Sequence, residues 1–195
     1  APTDFGVPAK DTDKTDETDF LTISNADFIK GIFGDIVGSA PPIVVSFTGD
    51  PNKVMKGAWS GNPWIADITL LSDSHNNYTS FATFKPDGEG KYRRQKKQFV
   101  RLYAVMLDDI GVKVLEDRIT LEPSWKIETS PGNFQIGFIL DEPITDTVKA
   151  DNLLNSIIDA GLCDPGSSGA CARIGRLPVA INGKHKNADG SHWRC

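Results

Sequence analysis

Residues 101–111 read RLYAVMLDDIG, and this stretch decides our interpretation of the fold. The apolar run from Leu102 to Leu107 has the length and composition of a buried strand. Asp108 and Asp109 follow it directly, and Gly111 then permits a turn. Carboxylates at a strand end are well placed to bind a metal ion. Adjacent residues on a regular strand face opposite ways, so a simple polar strand exit is the alternative.

The composition is typical of one folded unit, or of two tightly joined halves, with 195 residues, 39 % apolar residues and 18 glycines. No apolar run approaches the ~20 residues of a membrane span, so we expect no membrane partner. The N-terminal residues lack the basic and then apolar pattern of a signal peptide. An odd number of cysteines, three, does not indicate a disulfide framework. We therefore expect a cytoplasmic protein.

The charge is unevenly distributed along the chain. The formal net charge is −5, but residues 1–19 contain six acids and two lysines, and we expect residues 1–18 to be a disordered acidic tail or linker. Residues 91–101 carry cations without an intervening acid: Lys91, Arg93, Arg94, Lys96, Lys97 and Arg101. Such a local patch can bind a polyanion even when the total charge is negative. A solvated surface explains the same run equally well.

The remaining pattern predicts an α+β protein with a small antiparallel or mixed sheet. We expect a helix to begin near Ser24 and to end at Gly38, and a second helix to run from a Thr145 cap to Gly161. Residues 65–71 are compatible with a strand or a short helix. The tail after Leu162 has the character of a loop, with one apolar piece at 177–181. The predicted strands are 43–47, 76–84 and 102–107, and a hairpin pairs 125–129 with 134–140 across the turn 130–133.

Two further segments carry residues suited to phosphate chemistry. The turn and outgoing strand of the hairpin contain Ser130, Asn133 and Gln135, which can approach a phosphate or a ribose closely. Asp164 in the tail is followed by three cations, Arg173, Arg176 and Lys184. An aspartate can hold a metal ion while the cations neutralise a triphosphate. An ordinary hairpin turn and a basic surface loop are the alternatives.

In this order, MLDDIG, ETSPGNFQ, and a lone Asp before R-x-x-R-L-P and N-x-K resemble the RepB-like primases. These are plasmid and phage members of the archaeo-eukaryotic primase superfamily, also called primase-polymerases. The resemblance is clearest over residues 100–185. It implies metal ligands at Asp108, Asp109 and Asp164, and triphosphate or template contacts at Arg173, Arg176 and Lys184. Gln135 stands where the family usually has a histidine that contacts the nucleotide.

The resemblance also implies a fold and an activity. The fold is an RNA-recognition-motif-like catalytic sheet packed with an N-terminal α/β module, with residues 19–195 as one catalytic domain divided into halves 19–100 and 101–195. The activity is template-dependent nucleotidyl transfer by a DNA primase or DNA polymerase in plasmid or phage replication. The cofactor is Mg²⁺ or Mn²⁺, at a site that suits two ions.

Several partners follow from the same resemblance. They are an NTP or dNTP, a single-stranded DNA template, and a helicase domain or subunit, since many such domains are fused to a helicase and this chain would then be an excised domain. We expect the template to contact the basic segment, with Trp59, Trp64 and Tyr78 as stacking platforms or, alternatively, as core residues. The residues assigned to template binding are Arg93, Arg94, Lys96 and Lys97.

Three alternatives stay open from the sequence. The first is a non-catalytic single-stranded DNA or origin-binding module, which needs the basic patches but not the aspartates. The second is a metal-dependent nuclease that uses the same carboxylates. The third is structural zinc in the tail, which we do not expect because the spacing matches no compact C-x2-C module. Its candidate ligands are Cys163, Cys171, His185, His192 and Cys195.

Overall fold

The structure is a computed structural model, and it describes residues 23–35, 40–66 and 68–195. The predicted tail at 1–18, and the predicted helix end at 36–38, lie outside these residues. The described part contains two α-helices and nine strands in an α+β arrangement. In chain order they are α1 (Asn25–Phe33), β1 (Pro42–Phe47), β2 (Asn62–Pro63), β3 (Asn76–Phe84), β4 (Phe99–Ile110), β5 (Trp125–Ser130), β6 (Asn133–Ile144), α2 (Thr147–Asp159), β7 (Ile174–Arg176), β8 (Ile181–Lys186) and β9 (His192–Arg194).

One antiparallel sheet of seven strands organises the fold. Its strand order is β2-β1-β3-β4-β6-β5, and β7 pairs with β3 beside this path. β3 pairs with β4 through Ala82 and Leu102, so the predicted halves 19–100 and 101–195 contribute strands to the same sheet. β8 and β9 form a separate two-stranded sheet. Every pairing between these named strands is antiparallel.

The core lies around the two central strands. All nine residues of β3 are buried, so the alternation in its sequence does not separate an inner from a solvent face. The apolar run of β4 is buried from Ala104 to Leu107. α1 adds Phe28 and Ile32 to this core, while α2 adds Leu154. Burial of such side chains is the main stabilising contribution to a fold of this kind.

The predicted strands and the hairpin are confirmed, and two helix boundaries are corrected. α1 begins after Ser24, whose hydroxyl accepts a hydrogen bond from the Asp27 amide, but it ends at Phe33 with Gly34 as its C-cap, before the predicted stop at Gly38. α2 is capped by Asp146 rather than Thr145, because this carboxylate accepts hydrogen bonds from two amides of the first turn. The described residues of 65–71 form neither a strand nor a helix.

The tail was expected to be loop-rich, and this prediction was wrong for three segments. β7, β8 and β9 are short, and two of them have only three residues. Their sequences, IGR, INGKHK and HWR, show no sustained apolar alternation, which is why they gave no strand signal. No helix within the described residues has the length and apolar character needed to cross a membrane.

Candidate active site

The end of β4 turns its two adjacent aspartates toward the same side of the sheet. Asp109 is the only described residue other than glycine with a positive φ, at 57°. The register between β4 and β6 shifts between Leu107 and Ile110, which is where this backbone conformation interrupts the strand. Aspartate tolerates the left-handed region better than most residues. This local bulge removes the strict alternation that would have separated Asp108 from Asp109.

The turn after Asp109 packs directly on the turn of the β5–β6 hairpin. The backbone amide of Gly111 donates to the carbonyl of Val114 at 2.7 Å, which closes the turn. Gly111 has φ 91°, and a Cβ added there would lie 2.3 Å from the carbonyl oxygen of Gly132. Only glycine meets both demands. The motif at 108–111 and the hairpin turn are therefore in contact, as one active site requires.

Two amide side chains of β6 hold the aspartates. Asn133 Nδ2 donates to Asp109 Oδ1 at 2.9 Å, and Gln135 Nε2 donates to Asp108 Oδ1 at 3.2 Å. Gln135 is buried, and its Oε1 accepts the backbone amide of Arg176 at 2.8 Å. Both residues were predicted to contact a nucleotide. The structure shows that their amide groups orient the carboxylates.

A lysine joins the third aspartate to this group. Lys113 Nζ lies 2.8 Å from Asp109 Oδ2 and 3.1 Å from Asp164 Oδ1. One ammonium thus brings together carboxylates that are far apart in the sequence. Asp108, Asp109 and Asp164, the three residues predicted as metal ligands, make up the candidate site, and all three side chains are partly accessible.

Arg173 places a second cation against the carboxylates. One guanidinium nitrogen, Nη2, lies 3.3 Å from Asp108 Oδ2, and the other donates to the carbonyl of Ser167. Asp108 and Asp164 line an adjacent cleft of about 420 Å³, which also includes Arg173 and the small residues 166–169. An open cleft with carboxylates, an arginine and a Gly-Ser-Ser-Gly segment has room and donors for a phosphate chain.

The ionisation of the site follows from these contacts. Burial opposes the charged form of Asp109, but hydrogen bonds from Lys113 and Asn133 outweigh it, and with the charge of Lys184 they lower the pKa of Asp109. Hydrogen bonds to Asp109 and Asp164 raise the pKa of Lys113 well above its usual range. The bridge is therefore an ammonium between carboxylates at neutral pH.

The structure separates the other predicted nucleotide-binding residues. Lys184 is exposed on β8, close enough to affect Asp109 electrostatically. Ser130 is buried at the end of β5. Arg176 does not fit the predicted contact with triphosphate or template, because it is buried and its guanidinium stacks over Tyr78. The Arg176 guanidinium donates to Asn76 Oδ1, the Ile181 carbonyl and Asn182 Oδ1.

The four cations predicted to bind template also differ in their surroundings. Arg93 and Lys97 are exposed. Lys96 is exposed but lies 2.5 Å from the carboxylate of Asp151. Arg94 is half-buried and donates to the carbonyls of Trp59 and Ala172, so its guanidinium is fixed to the protein. The accessible charge of this segment is consequently smaller than the sequence suggested.

A second cleft of about 510 Å³ adjoins the first. It is lined by residues 91–95 together with Trp59 and Ser60, and Arg94 lines both clefts. Trp59 also packs against Tyr78 and Phe47. Tyr78 is buried, and burial raises its pKa to about 12. Trp64 packs against the main core, so Trp59 is the one predicted stacking aromatic that borders a basic cleft.

The cysteines and histidines considered as zinc ligands do not form a metal-binding group among the described residues. Cys163 and Cys171 are buried free thiols, and the Cys163 sulfur accepts the backbone amide of Asp108 at 3.5 Å. Among the described residues, no group of three or more His, Cys, Asp or Glu side chains is gathered tightly enough to hold a metal ion by itself. Magnesium, however, usually takes only one or two carboxylates and completes its shell with water and substrate phosphates. Asp109 and Asp164, whose oxygens both contact the Lys113 ammonium, can supply two such carboxylates.

Lys113 is the site residue that the sequence analysis missed. Its spacing from Asp109 is i,i+4, which is a familiar ion-pair spacing on a helix but carries no such meaning in a turn. The left-handed backbone at Asp109 starts a turn in which the Lys113 amide donates to the Asp109 carbonyl. This turn brings the Lys113 side chain back over the Asp109 carboxylate.

Comparison with known proteins gives one match. A model of the RepB DNA-primase N-terminal domain family matches residues 45–195, which is most of the chain and includes every site residue described above. The search of curated proteins and the search of solved structures both return no match.

Proposed function

The chain belongs to the family of RepB DNA-primase N-terminal domains, and on that premise we propose that it joins nucleotides on a single-stranded DNA template by metal-assisted phosphoryl transfer. The family is one of DNA primases, so the general function lies in DNA replication, with a DNA template and nucleotides as substrates. The finer proposal is the chemistry and the residues that perform it. We also infer that β4, β5 and β6, with α2, correspond to the RNA-recognition-motif-like catalytic sheet of primases.

The convergence of three carboxylates at the end of β4 carries this proposal. Asp109 and Asp164 both contact the ammonium of Lys113. Asp108 lies beside them, and its oxygens contact Gln135 and Arg173. These hard oxygen donors suit Mg²⁺ or Mn²⁺. When bound, such an ion would stabilise charge on the transferred phosphoryl group and activate the attacking hydroxyl. Two ions are compatible with three carboxylates.

The chain's own residues would position the reactants. We assign the triphosphate of the incoming NTP or dNTP to the cleft beside Asp108, where Arg173 and residues 166–169 can donate to its oxygens. The 3′-hydroxyl of the growing strand gives its proton to water and attacks the α-phosphate in line; a P–O bond forms, the bond from the α-phosphorus to the α–β bridging oxygen breaks, and pyrophosphate leaves with that electron pair. Positioning and charge stabilisation supply most of the catalysis in such reactions.

The template would occupy the adjoining cleft. Exposed Arg93 and Lys91 provide phosphate contacts, and half-buried Trp59 provides an aromatic surface for a base. Because Arg94 borders both clefts, a strand bound in one leads to the nucleotide in the other. A helicase domain or subunit as a partner stays a prediction from the resemblance.

The test is incorporation of labelled NTPs or dNTPs on unprimed and on primed single-stranded DNA with Mg²⁺ or Mn²⁺. We expect Asp108→Ala and Asp164→Ala to abolish incorporation, while Glu142→Ala, an exposed acid on β6, keeps it. Circular dichroism checks that the variants are folded. Full incorporation by both aspartate variants would refute the proposed chemistry. Strand binding without incorporation would instead indicate a binding module, and shortening of the DNA without nucleotide use would indicate a nuclease.

A further inference from the structure

Lys113 places its ammonium between two of the three carboxylates of the candidate site. Its ammonium bridges Asp109 and Asp164 at 2.8 and 3.1 Å. The backbone fixes the start of the side chain, because the Lys113 amide donates to the Asp109 carbonyl at 2.9 Å. The side chain beyond the backbone is 54 % exposed, and its ammonium is held by the two ion pairs. A rigid base and a solvent-accessible end allow the ammonium to move without unpacking the core.

We propose that Lys113 is an exchangeable cation, which neutralises Asp109 and Asp164 until a divalent ion replaces it and then binds the phosphates of the incoming nucleotide. This inference rests on the proposed function, because it concerns the same metal and the same nucleotide. An ammonium and a divalent ion need the same carboxylate oxygens, so they compete for them. Lysine suits such an exchange, being a compact charge on a flexible four-carbon stem.

The charges around the site favour this exchange. The groups that face one another here are the carboxylates of Asp108, Asp109 and Asp164, with the cations Lys113 and Arg173 against them and Lys184 nearby. Without metal, the two contacting cations leave one uncompensated negative charge. A divalent ion would neutralise that charge and release Lys113 as a free cation at the cleft. The site then attracts a polyphosphate, which the metal-free site repels.

Metal-binding measurements test the first half of the proposal without relying on catalysis. Mn²⁺ is titrated into the whole chain and followed by calorimetry or by the loss of the free-ion EPR signal. We expect Lys113→Met to bind Mn²⁺ at least about threefold more tightly than the wild type, because two ion pairs that compete with the metal are gone. Lys30→Met is the matched control, since Lys30 is exposed and lies 3.1 Å from Asp35. Its Mn²⁺ affinity should not change.

Nucleotide binding tests the second half. With saturating Mn²⁺, we expect Lys113→Met to bind a non-hydrolysable dNTP analogue at least about threefold more weakly, and Lys30→Met to bind it like the wild type. The two shifts have opposite signs, which a purely structural ion pair would not produce. An unchanged or weaker Mn²⁺ affinity, or an unchanged nucleotide affinity, in Lys113→Met would overturn the proposal.

A measurement on the wild type covers the case in which the variant fails to fold. Acetylation of individual lysines is followed by mass spectrometry with and without Mn²⁺. We expect Mn²⁺ to accelerate the modification of Lys113 and to leave that of Lys30 unchanged, and equal rates at Lys113 would refute the exchange. Wild-type protein that releases Lys113 on binding Mn²⁺ but incorporates no nucleotide would refute the proposed function alone. Normal incorporation with no release would refute this inference alone.

Discussion

Replacing Gly111 by alanine tests whether contact between the two turns assembles the site. At Gly111, φ is 91° and an added Cβ would lie 2.3 Å from the carbonyl oxygen of Gly132. The left-handed backbone costs alanine about 1–2 kcal/mol, and the close contact adds about 1–3 kcal/mol by analogy with overpacked cores. The expected loss of stability in Gly111→Ala is therefore about 2–5 kcal/mol.

The same hairpin provides a matched control. Gly132 has φ 70°, but a Cβ built there meets nothing within 4 Å. Gly132→Ala should therefore lower the free energy of unfolding only by the cost of the left-handed backbone, about 1–2 kcal/mol. For a chain of this size we expect the melting temperature to fall by roughly 4–20 °C in Gly111→Ala and by roughly 2–8 °C in Gly132→Ala.

The functional result should follow the structural one. If the chain relieves the clash by separating the turns, the 2.9 Å hydrogen bond from Asn133 to Asp109 is lost, and nucleotide incorporation should fall more in Gly111→Ala than in Gly132→Ala. Urea and thermal unfolding by circular dichroism give the stabilities, and the incorporation assay gives the activity. Equal destabilisation by the two substitutions would refute the argument from close approach.

Three further changes have expected outcomes. Gly137→Ala should cost about 3 kcal/mol and alter the near-ultraviolet circular dichroism, because its Cβ would overlap the Trp125 indole at 1.9 Å; an unaltered spectrum with native stability would contradict this. Arg176→Met should cost about 3 kcal/mol in urea unfolding by leaving buried acceptors unpaired, whereas native stability with lost nucleotide binding would restore its predicted role. The pKa of Asp109 is lowered in the folded state. The ionised Asp109 carboxylate therefore stabilises the fold fully above the pKa of aspartate in the unfolded chain, and this stabilisation is lost as the pH falls through the folded pKa. The destabilisation by Asp109→Asn should accordingly shrink as unfolding is measured from about pH 6 to about pH 2, and a constant difference would contradict it.

The sequence predicts the parts of this fold that have a strong local signal. β4 and the β5–β6 hairpin were predictable because their apolar runs and the Pro131-Gly132 turn are local features. That Asp108, Asp109 and Asp164 lie close together was predicted from the family resemblance and not from the hydrophobic pattern of the sequence. The positive φ of Asp109, which lets both aspartates reach a common site, cannot be predicted from the sequence pattern. The bridging contacts of Lys113 depend on that backbone angle, so they could not be predicted either.

Charge was the least reliable guide to position. Arginine is seldom fully buried, and Arg176 was predicted, like Arg173, to contact the triphosphate or the template. In the structure the Arg173 side chain is 12 % exposed and reaches Asp108 at the cleft, whereas Arg176 is buried and its guanidinium donates to Asn76, Ile181 and Asn182. Arg94 shows the same difficulty, because two backbone carbonyls fix its guanidinium. Long-range hydrogen bonds, which sequence patterns do not encode, decide which cations stay available to a polyanion.

A buried polar network explains how a loop aspartate reaches a site at a strand end. Arg176 of β7 donates to Asn76 Oδ1 of β3 and Asn182 Oδ1 of β8. Asn182 Nδ2 in turn donates to the Thr129 carbonyl of β5 at 2.6 Å. Four strands are thus tied together beneath the site by groups whose loss would leave buried partners unpaired.

This network fixes the segment that carries the third carboxylate. Asp164 lies between α2 and β7, so anchoring β7 restrains the loop from its C-terminal side. Gln135 links that anchor to the site, because one amide group accepts the Arg176 amide and donates to Asp108. Gln135 thus serves as a structural link between β7 and the carboxylates, and the nucleotide contacts that we propose fall to Lys113, Arg173 and the cleft at 166–169.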